Sequence, residues 1–437
     1  MDPTIRPFLS GELPVMSESI TELVFMIDEG KSMDKIYDAL CRSDMVTSVA
    51  DPNGWVGGKR FRVLFHTLSR DLLRSLLLKT LGPDLWSKVI KADNWRRVFP
   101  PEGAGCYACF IYIHDRRGKF LCSNEIRQVI SELEAYEQVV DTYQRREGHD
   151  QPLTDEQKED YKKAMKVDDV LRTEEHWDLE HPRYDLFIPR FMSSTTKSGA
   201  QYSHNISALI EMLKKRCEYT TDPYTYHRQS PLLVGNSRNV AKRAENHMIG
   251  GGFSNSPKVW GLLLSCMKLL ELECRTSYVT LFRTWRDDAQ VNQAEVLGTI
   301  LAGSMINEDG LNVKEPGTRI ESGAWTPNNY GDASDIVFVD TPWTRENLRH
   351  SIAARTPAIT DANKQKLDEL HEEIAKNDDD LKEGATALRT KKAELDEAKA
   401  RYREAKVTAE ADLATGEEML KEMEDLFQEG QDLVPSR

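Results

Sequence analysis

The chain has 437 residues, with 58 Lys and Arg against 72 Asp and Glu and a formal net charge of -14. At about 100–200 residues per domain this length accommodates two or three domains, and 39% hydrophobic with 30% charged residues excludes a wholly disordered chain. No stretch reaches the ~18–20 uncharged apolar residues that span a bilayer; the most apolar one, Val259–Leu272, carries Lys268 and Glu271. The start, MDPTIRPFLS, has no basic segment followed by an apolar one, and seven widely spaced cysteines give no disulfide framework. The expected location is cytoplasmic, or a virion for a viral chain, and not secreted.

Ser19-Ile20-Thr21-Glu22 has the S-x-x-E form of a capping box and predicts a helix carrying Leu23, Val24, Phe25 and Ile27. After a loop at 51–58, Phe61, Leu64, Phe65, Leu68, Leu72, Leu76 and Leu77 recur at helical spacing until Gly82-Pro83. Tyr107–Ile113 is aromatic and β-branched, Asp115-Arg116-Arg117-Gly118 is turn-like, and Lys119–Cys122 reads as a return strand. A β-hairpin is therefore expected at 106–122. Ser123 caps a helix running to Tyr143. The polar stretch 144–182 holds a surface helix announced by Thr154 and Gln157, and a loop at 193–205 precedes a helix with Ile206, Leu209, Ile210 and Leu213. Residues 219–256, with Pro223, Pro231 and Gly250-Gly251-Gly252, read as connections around a short basic helix near 237–247. Ser256-Pro257 opens the most hydrophobic helix, and another runs from about Ala294 to Ile306. Residues 310–345 are loop-rich, with a short strand candidate at Ile336–Val339.

Beyond Pro357, Leu367, Ile374, Leu381, Leu388, Leu395, Tyr402 and Ala409 recur every seven residues. The partner positions include Asn377, Gly384, Lys391 and Asp412, so the second stripe of the seam is weak. A long helix or a helical hairpin is expected; if continuous, 367–426 would extend about 90 Å. The predicted fold is mainly α: a two-lobed helical body with a small β-hairpin element and a long C-terminal helical, coiled-coil-like extension. The expected divisions are an N-terminal helical lobe at 1–143, a charged linker or insertion at 144–192, a C-terminal helical lobe at 193–356 and an acidic long-helix tail at 357–437.

The charge is blocky. Residues 55–127 are net +8 and 191–283 net +6, whereas 1–54 are -6, 128–190 are -8, 284–360 are -5 and 361–437 are -9. Basic clusters fall in the two positive blocks: Lys59/Arg60/Arg62, Arg96/Arg97, Arg116/Arg117/Lys119, Lys214/Lys215/Arg216 and Arg238/Lys242/Arg243. Phe61, Trp95, Phe120 and Tyr219 lie close to them in sequence. Basic residues neutralise phosphates and aromatic faces stack on unpaired bases, so these fourteen residues are the candidate RNA contacts. For each cluster alone, solvated surface is the default explanation; five clusters confined to two net-basic blocks are more informative than any one.

Signatures of chemistry are weak. Cys106, Cys109, His114 and Cys122 resemble zinc-ligand spacing, but an apolar strand intervenes and alternation would spread them over two faces, so buried thiols and no metal or other cofactor are expected. Gly54-Trp55-Val56-Gly57-Gly58-Lys59 has the wrong spacing for a phosphate loop, and Arg60 stands where Ser or Thr belongs. No G-x-S-x-G sequence occurs, and His176 and His181 lie in a charged stretch without a metalloprotease pattern. The leading expectation is a non-enzymatic, self-assembling, nucleocapsid- or capsid-like protein that packages RNA by phosphate neutralisation, with other copies of itself and RNA as partners and no membrane. The rival is a scaffold or adaptor acting through its C-terminal helix; an enzyme with a dispersed site stands third.

Overall fold

The computed structural model describes residues 12–47, 49, 54–87, 103–146, 152–172, 176–192, 204–251, 253, 256–317, 333–382, 397–401 and 404–405. The chain divides into two compact units, 1–344 and 345–437. The first is mostly helical and is organised around a three-stranded antiparallel sheet in the order β2-β1-β3.

Strand β1 (Gly105–Ile113) is the middle strand, between β2 (Leu232–Ser237) and β3 (Cys274–Arg283). It is apolar at almost every position because both of its faces are covered. Cys106, Ala108 and Phe110 enter one core, and Tyr107, Cys109, Ile111 and Ile113 enter a second on the opposite face. The first core is closed by α1 (Glu18–Asp28), α2 (Met33–Arg42), α3 (Lys59–His66), α4 (Arg70–Leu77), the start of α5 (Leu81–Trp86) and the later helix α11 (Asp288–Ala302). The second is closed by α6 (Ser123–Arg145), α7 (Asp155–Asp169), α8 (His204–Glu218), α9 (Val240–Glu245) and α10 (Lys258–Leu269). Residues on both sides of the charged 144–192 stretch thus build one sheet. That stretch is itself packed: Tyr161, Met165, Phe187 and Phe191 belong to the second core.

The expected hairpin is replaced by long-range pairing. Both edges of β1 are occupied by β2 and β3, so the 119–122 stretch meets it only where Ile113 N–H donates to Lys119 O. Instead Phe120 N–H donates to His227 O and His227 N–H to Leu121 O, and Cys122 bridges Tyr226. The predicted helix from Lys59 to Leu81 is broken where Ser69 accepts from Leu72 N–H and starts a new helix. Ser17, not Ser19, caps α1 through Ile20 N–H. Cys122 rather than Ser123 occupies the cap position of α6, with Glu125 accepting from its backbone N–H. The Thr154/Gln157 box of α7 forms as expected. The strand candidate at 336–339 is a π-helical turn, Ile336–Asp340.

Helix α12 spans Pro342–Lys382 and carries Pro357 inside it rather than at its start. On α12, Leu367 is exposed and Leu370 half-buried. Most of the seven-residue register past Lys382, including Leu388, Leu395 and Ala409, lies outside the described residues.

Candidate nucleic-acid interface

The two basic blocks meet at the N-terminus of α11. β2 and β3 both run antiparallel to β1, so both finish at the end of the sheet where β1 begins. Arg238 follows β2 directly and lies 3.6 Å from Asp288. Arg60, on the first turn of α3, lies 3.8 Å from the neighbouring Asp287, which caps α11 through Gln290 N–H. Arg286, next to Asp287 in the chain, is exposed, and Lys59 on α3 and Lys242 on α9 are exposed as well. The Arg60 pair is open to solvent, with both side chains about half exposed. Pairs of this kind contribute ~0–1 kcal/mol and yield readily to a competing anion.

A second basic-aromatic surface lies on the turn after β1. Arg117 adopts a positive φ of 53°, and its guanidinium sits 5.5 Å from the ring centroid of Trp86, which is 58% exposed. Arg116 lies 4.1 Å from the ring centroid of Tyr226 while holding both carboxylate oxygens of Glu125 at 2.7 Å. The turn is locked onto α5: Gly82 and Gly118 touch backbone to backbone, and a Cβ on Gly82 would lie 2.2 Å from Gly118 O. Lys119 is half-buried on the same turn, and Tyr224 is exposed near Tyr226. The exposed Trp86 ring beside the Arg117 guanidinium matches what an unpaired base and its phosphate require, whereas Arg116 is held by Glu125.

Other predicted contacts are committed within the fold. Arg216 is fully buried on the inner face of α8 and holds Asp309, so it is not available to an external ligand. Arg62 binds Asp34 at 2.5 Å and Asp38 at 2.7 Å. Lys214 lies between Glu134 at 3.0 Å and Glu211 at 3.4 Å, whereas Lys215 is exposed. Arg96 and Arg97 lie outside the described residues. Sequence reading missed Trp86 and Tyr226 because their basic partners are distant along the chain; the only local signal was the aromatic run Tyr224-Thr225-Tyr226.

The zinc-like spacing does not converge. Cys106 and Cys109 are buried on opposite faces of β1, in different cores, and His114 is exposed beside Asp115 and Glu273. Burial pushes the Cys109 thiol far up, as for an inert core cysteine.

Arg243 lines a cavity of about 170 Å³ together with Tyr107, Asn236, His247, Ser256 and Glu295. Gly235 leaves room for the Tyr107 phenol, whose Oη lies 3.0 Å from His247 Nε2; His247 Nδ1 lies 2.7 Å from Ser256 Oγ. Both ring nitrogens of His247 are thus occupied, and the imidazole ties the segment between α9 and α10 to β1. Asn236 donates to Glu295 at 3.0 Å.

No protein-family model, curated protein or solved structure matches the chain significantly. The fold and this surface define a mostly helical protein built on a three-stranded antiparallel sheet, with basic residues gathered at one sheet end.

Proposed function

We propose that this is a non-enzymatic, self-assembling protein of nucleocapsid or capsid type that packages RNA by phosphate neutralisation. The observation that carries the reading is the meeting of the two basic blocks at α11, where Arg60 and Arg238 reach the adjacent Asp287 and Asp288. A chain of net charge -14 can hold a polyanion only through such a local concentration. The Arg117–Trp86 stack adds a position for an unpaired base. The exposed Leu367 on α12 supports contacts between copies through the C-terminal helix.

Light scattering and the 260/280 nm absorbance ratio of purified protein, at low and high salt, test this directly. Oligomers carrying RNA that salt releases are expected. A nucleic-acid-free monomer at both salts overturns the reading.

One observation favours the scaffold reading instead: Arg62, Arg116, Lys214 and Arg216 spend their charge on carboxylates of the chain itself. Deleting 361–437 separates the two. A scaffold loses its protein partners, whereas an RNA-packaging chain keeps or gains RNA affinity as nine net negative charges leave.

A further inference from the structure

We propose that Arg283, at the end of β3, is the centre of a phosphate-binding site. β3 reaches Arg283 through a bulge: Phe282 pairs with Cys106 but Thr280 pairs with Tyr107, which leaves Leu281 as the extra residue. Leu281 and Phe282 both enter the first core. Arg283, opposite Gly105, is thereby turned to the other face of the sheet. There its guanidinium fills the space a side chain at Gly103 would take; a Cβ on Gly103 would lie 1.7 Å from Nη2.

Arg283 is only 7% exposed. Its Nη1 donates to Ala104 O at 3.1 Å, and its Nε is enclosed with no acceptor. Among the described residues no carboxylate lies within ion-pair distance of it. The contrast with Arg216 is informative, since that equally buried guanidinium is given Asp309 as a two-point partner. A guanidinium cannot lose its proton, and a buried charge with no counter-charge is among the costliest groups a fold retains. A site of this kind fits an anion from outside the chain.

The chemistry of the guanidinium suits a phosphate. Ser237 and Arg283 pair with Gly105 from its two sides and share its face, whereas Arg238, one residue on, turns to the α11 side and meets Asp288. Arg286 follows Arg283 three residues later and is exposed. Gly103 O accepts from Val240 N–H, which ties the Arg283 cradle to the first residue of the helix carrying Lys242 and Arg243. A planar fork with no carboxylate partner suits a group with several charged oxygens. The phosphate can come from an RNA backbone or be free in solution, so the site does not depend on the RNA reading.

Thermal unfolding of the full chain, titrated with inorganic phosphate or with oligouridylate against chloride at equal ionic strength, tests the site. Tm is expected to rise with inorganic phosphate, and Arg283→Met to weaken the apparent affinity by ~10-fold or more. Should R283M fail to fold, Arg283→Lys keeps the charge and loses the fork, and a loss of ~10-fold is again expected. A wild-type Tm indifferent to both ligands, or a variant as responsive as wild type, overturns the proposal. A response to oligouridylate as well assigns the phosphate to RNA; a response to inorganic phosphate alone assigns it to a free anion and counts against RNA packaging only. Oligouridylate bound equally by wild type and R283M removes the site and leaves RNA packaging standing.

Discussion

Arg216 and Asp309 form a buried two-point ion pair, Nε to Oδ1 and Nη2 to Oδ2, both at 2.5 Å. Lys79 Nζ joins them at 2.9 Å from Oδ2 and also donates to Gly303 O. The cluster pins the end of α4, the helix α8 and the 303–312 loop to one point, and its single carboxylate serves two cations. Burial draws the Lys79 pKa down despite Asp309. Asp309→Ala strands both cations. It is expected to destabilise the fold by ~3–5 kcal/mol in urea unfolding, and a loss below about 1 kcal/mol would show that the cluster is not needed. Salt dependence of RNA binding should not change, because none of the three reaches the surface.

Asp168 offers a stability effect with a defined sign. It accepts from Tyr136 Oη at 2.8 Å and from Arg190 N–H at 2.9 Å, joining α6, α7 and the chain before 191. Burial pushes its pKa up to about 7, against the opposing pull of the Arg190 N–H and the Tyr136 hydroxyl. The folded state therefore binds a proton that the unfolded carboxyl, near pH 4, has already released. Stability falls as pH rises from about 4 through about 7 and then levels off. Asp168→Asn keeps an acceptor for the Arg190 N–H, turns its amide N–H toward the Tyr136 hydroxyl, and should flatten that part of the profile, measured as the urea midpoint from pH 4 to 8. An unchanged slope in D168N would assign the effect elsewhere.

His227 acts in the opposite sense over an overlapping range. It is fully buried, with Nε2 3.1 Å from Thr220 Oγ1, and burial together with Arg216 lowers its pKa to about 4. The unfolded imidazole takes up a proton near pH 6.5 and the folded one does not. Its contribution is intact above 6.5 and is lost as pH falls toward 4. His227→Gln should remove this acid-side loss, so that the variant's urea midpoint falls less than the wild type's between pH 6.5 and 4.5.

Several helices were legible in the sequence because their signals are local, although the breaks that divide the run from Lys59 into α3, α4 and α5, with Gly82-Pro83 inside α5, were not. Thr154 and Gln157 specify the start of α7, and Ile206, Leu209, Ile210 and Leu213 mark the inner face of α8 at helical spacing. β1 was legible from composition alone, but its partners were not. Residues 232–237 and 274–283 pair with it across more than a hundred positions, and nothing local in either segment encodes that register. The Leu281 bulge was equally hidden, and with it the face to which Arg283 turns. Basic clusters could be found by counting, yet counting cannot tell Arg216, buried against Asp309, from Lys215, its exposed neighbour. Helical phase at α8 separates the two only once the buried face is known.

The contact between Gly82 and Gly118 yields a test of the turn that presents Arg117. Gly118 has a φ of +80°, and a Cβ there would lie 2.3 Å from Gly82 O. Gly118→Ala meets both left-handed strain and a backbone clash, and should cost about 2 kcal/mol or more. Because α5 and the turn must separate, the same variant should weaken binding of oligouridylate as Arg117 leaves Trp86. Wild-type stability in G118A would mean that the turn adjusts freely and that its basic residues are not held in place.

Affinity for RNA should divide the basic residues by their place in the fold rather than by their charge. Arg60→Gln removes an exposed cation paired with Asp287 at 3.8 Å, and Arg238→Gln a half-buried one paired with Asp288 at 3.6 Å. Each should lower the slope of log affinity against log salt by ~0.7 for single-stranded RNA, with little change in Tm for the exposed Arg60 pair. Arg62→Gln breaks contacts to Asp34 and Asp38 and the stack on Tyr37, 4.7 Å from its ring centroid, and should lower Tm while leaving the salt slope alone. Phosphate release is counted by the slope, and burial of Asp34 and Tyr37 is what Tm reports, so the two readouts are independent. Equal slopes in wild type, R60Q and R238Q would show that the meeting point at α11 does not contact phosphate.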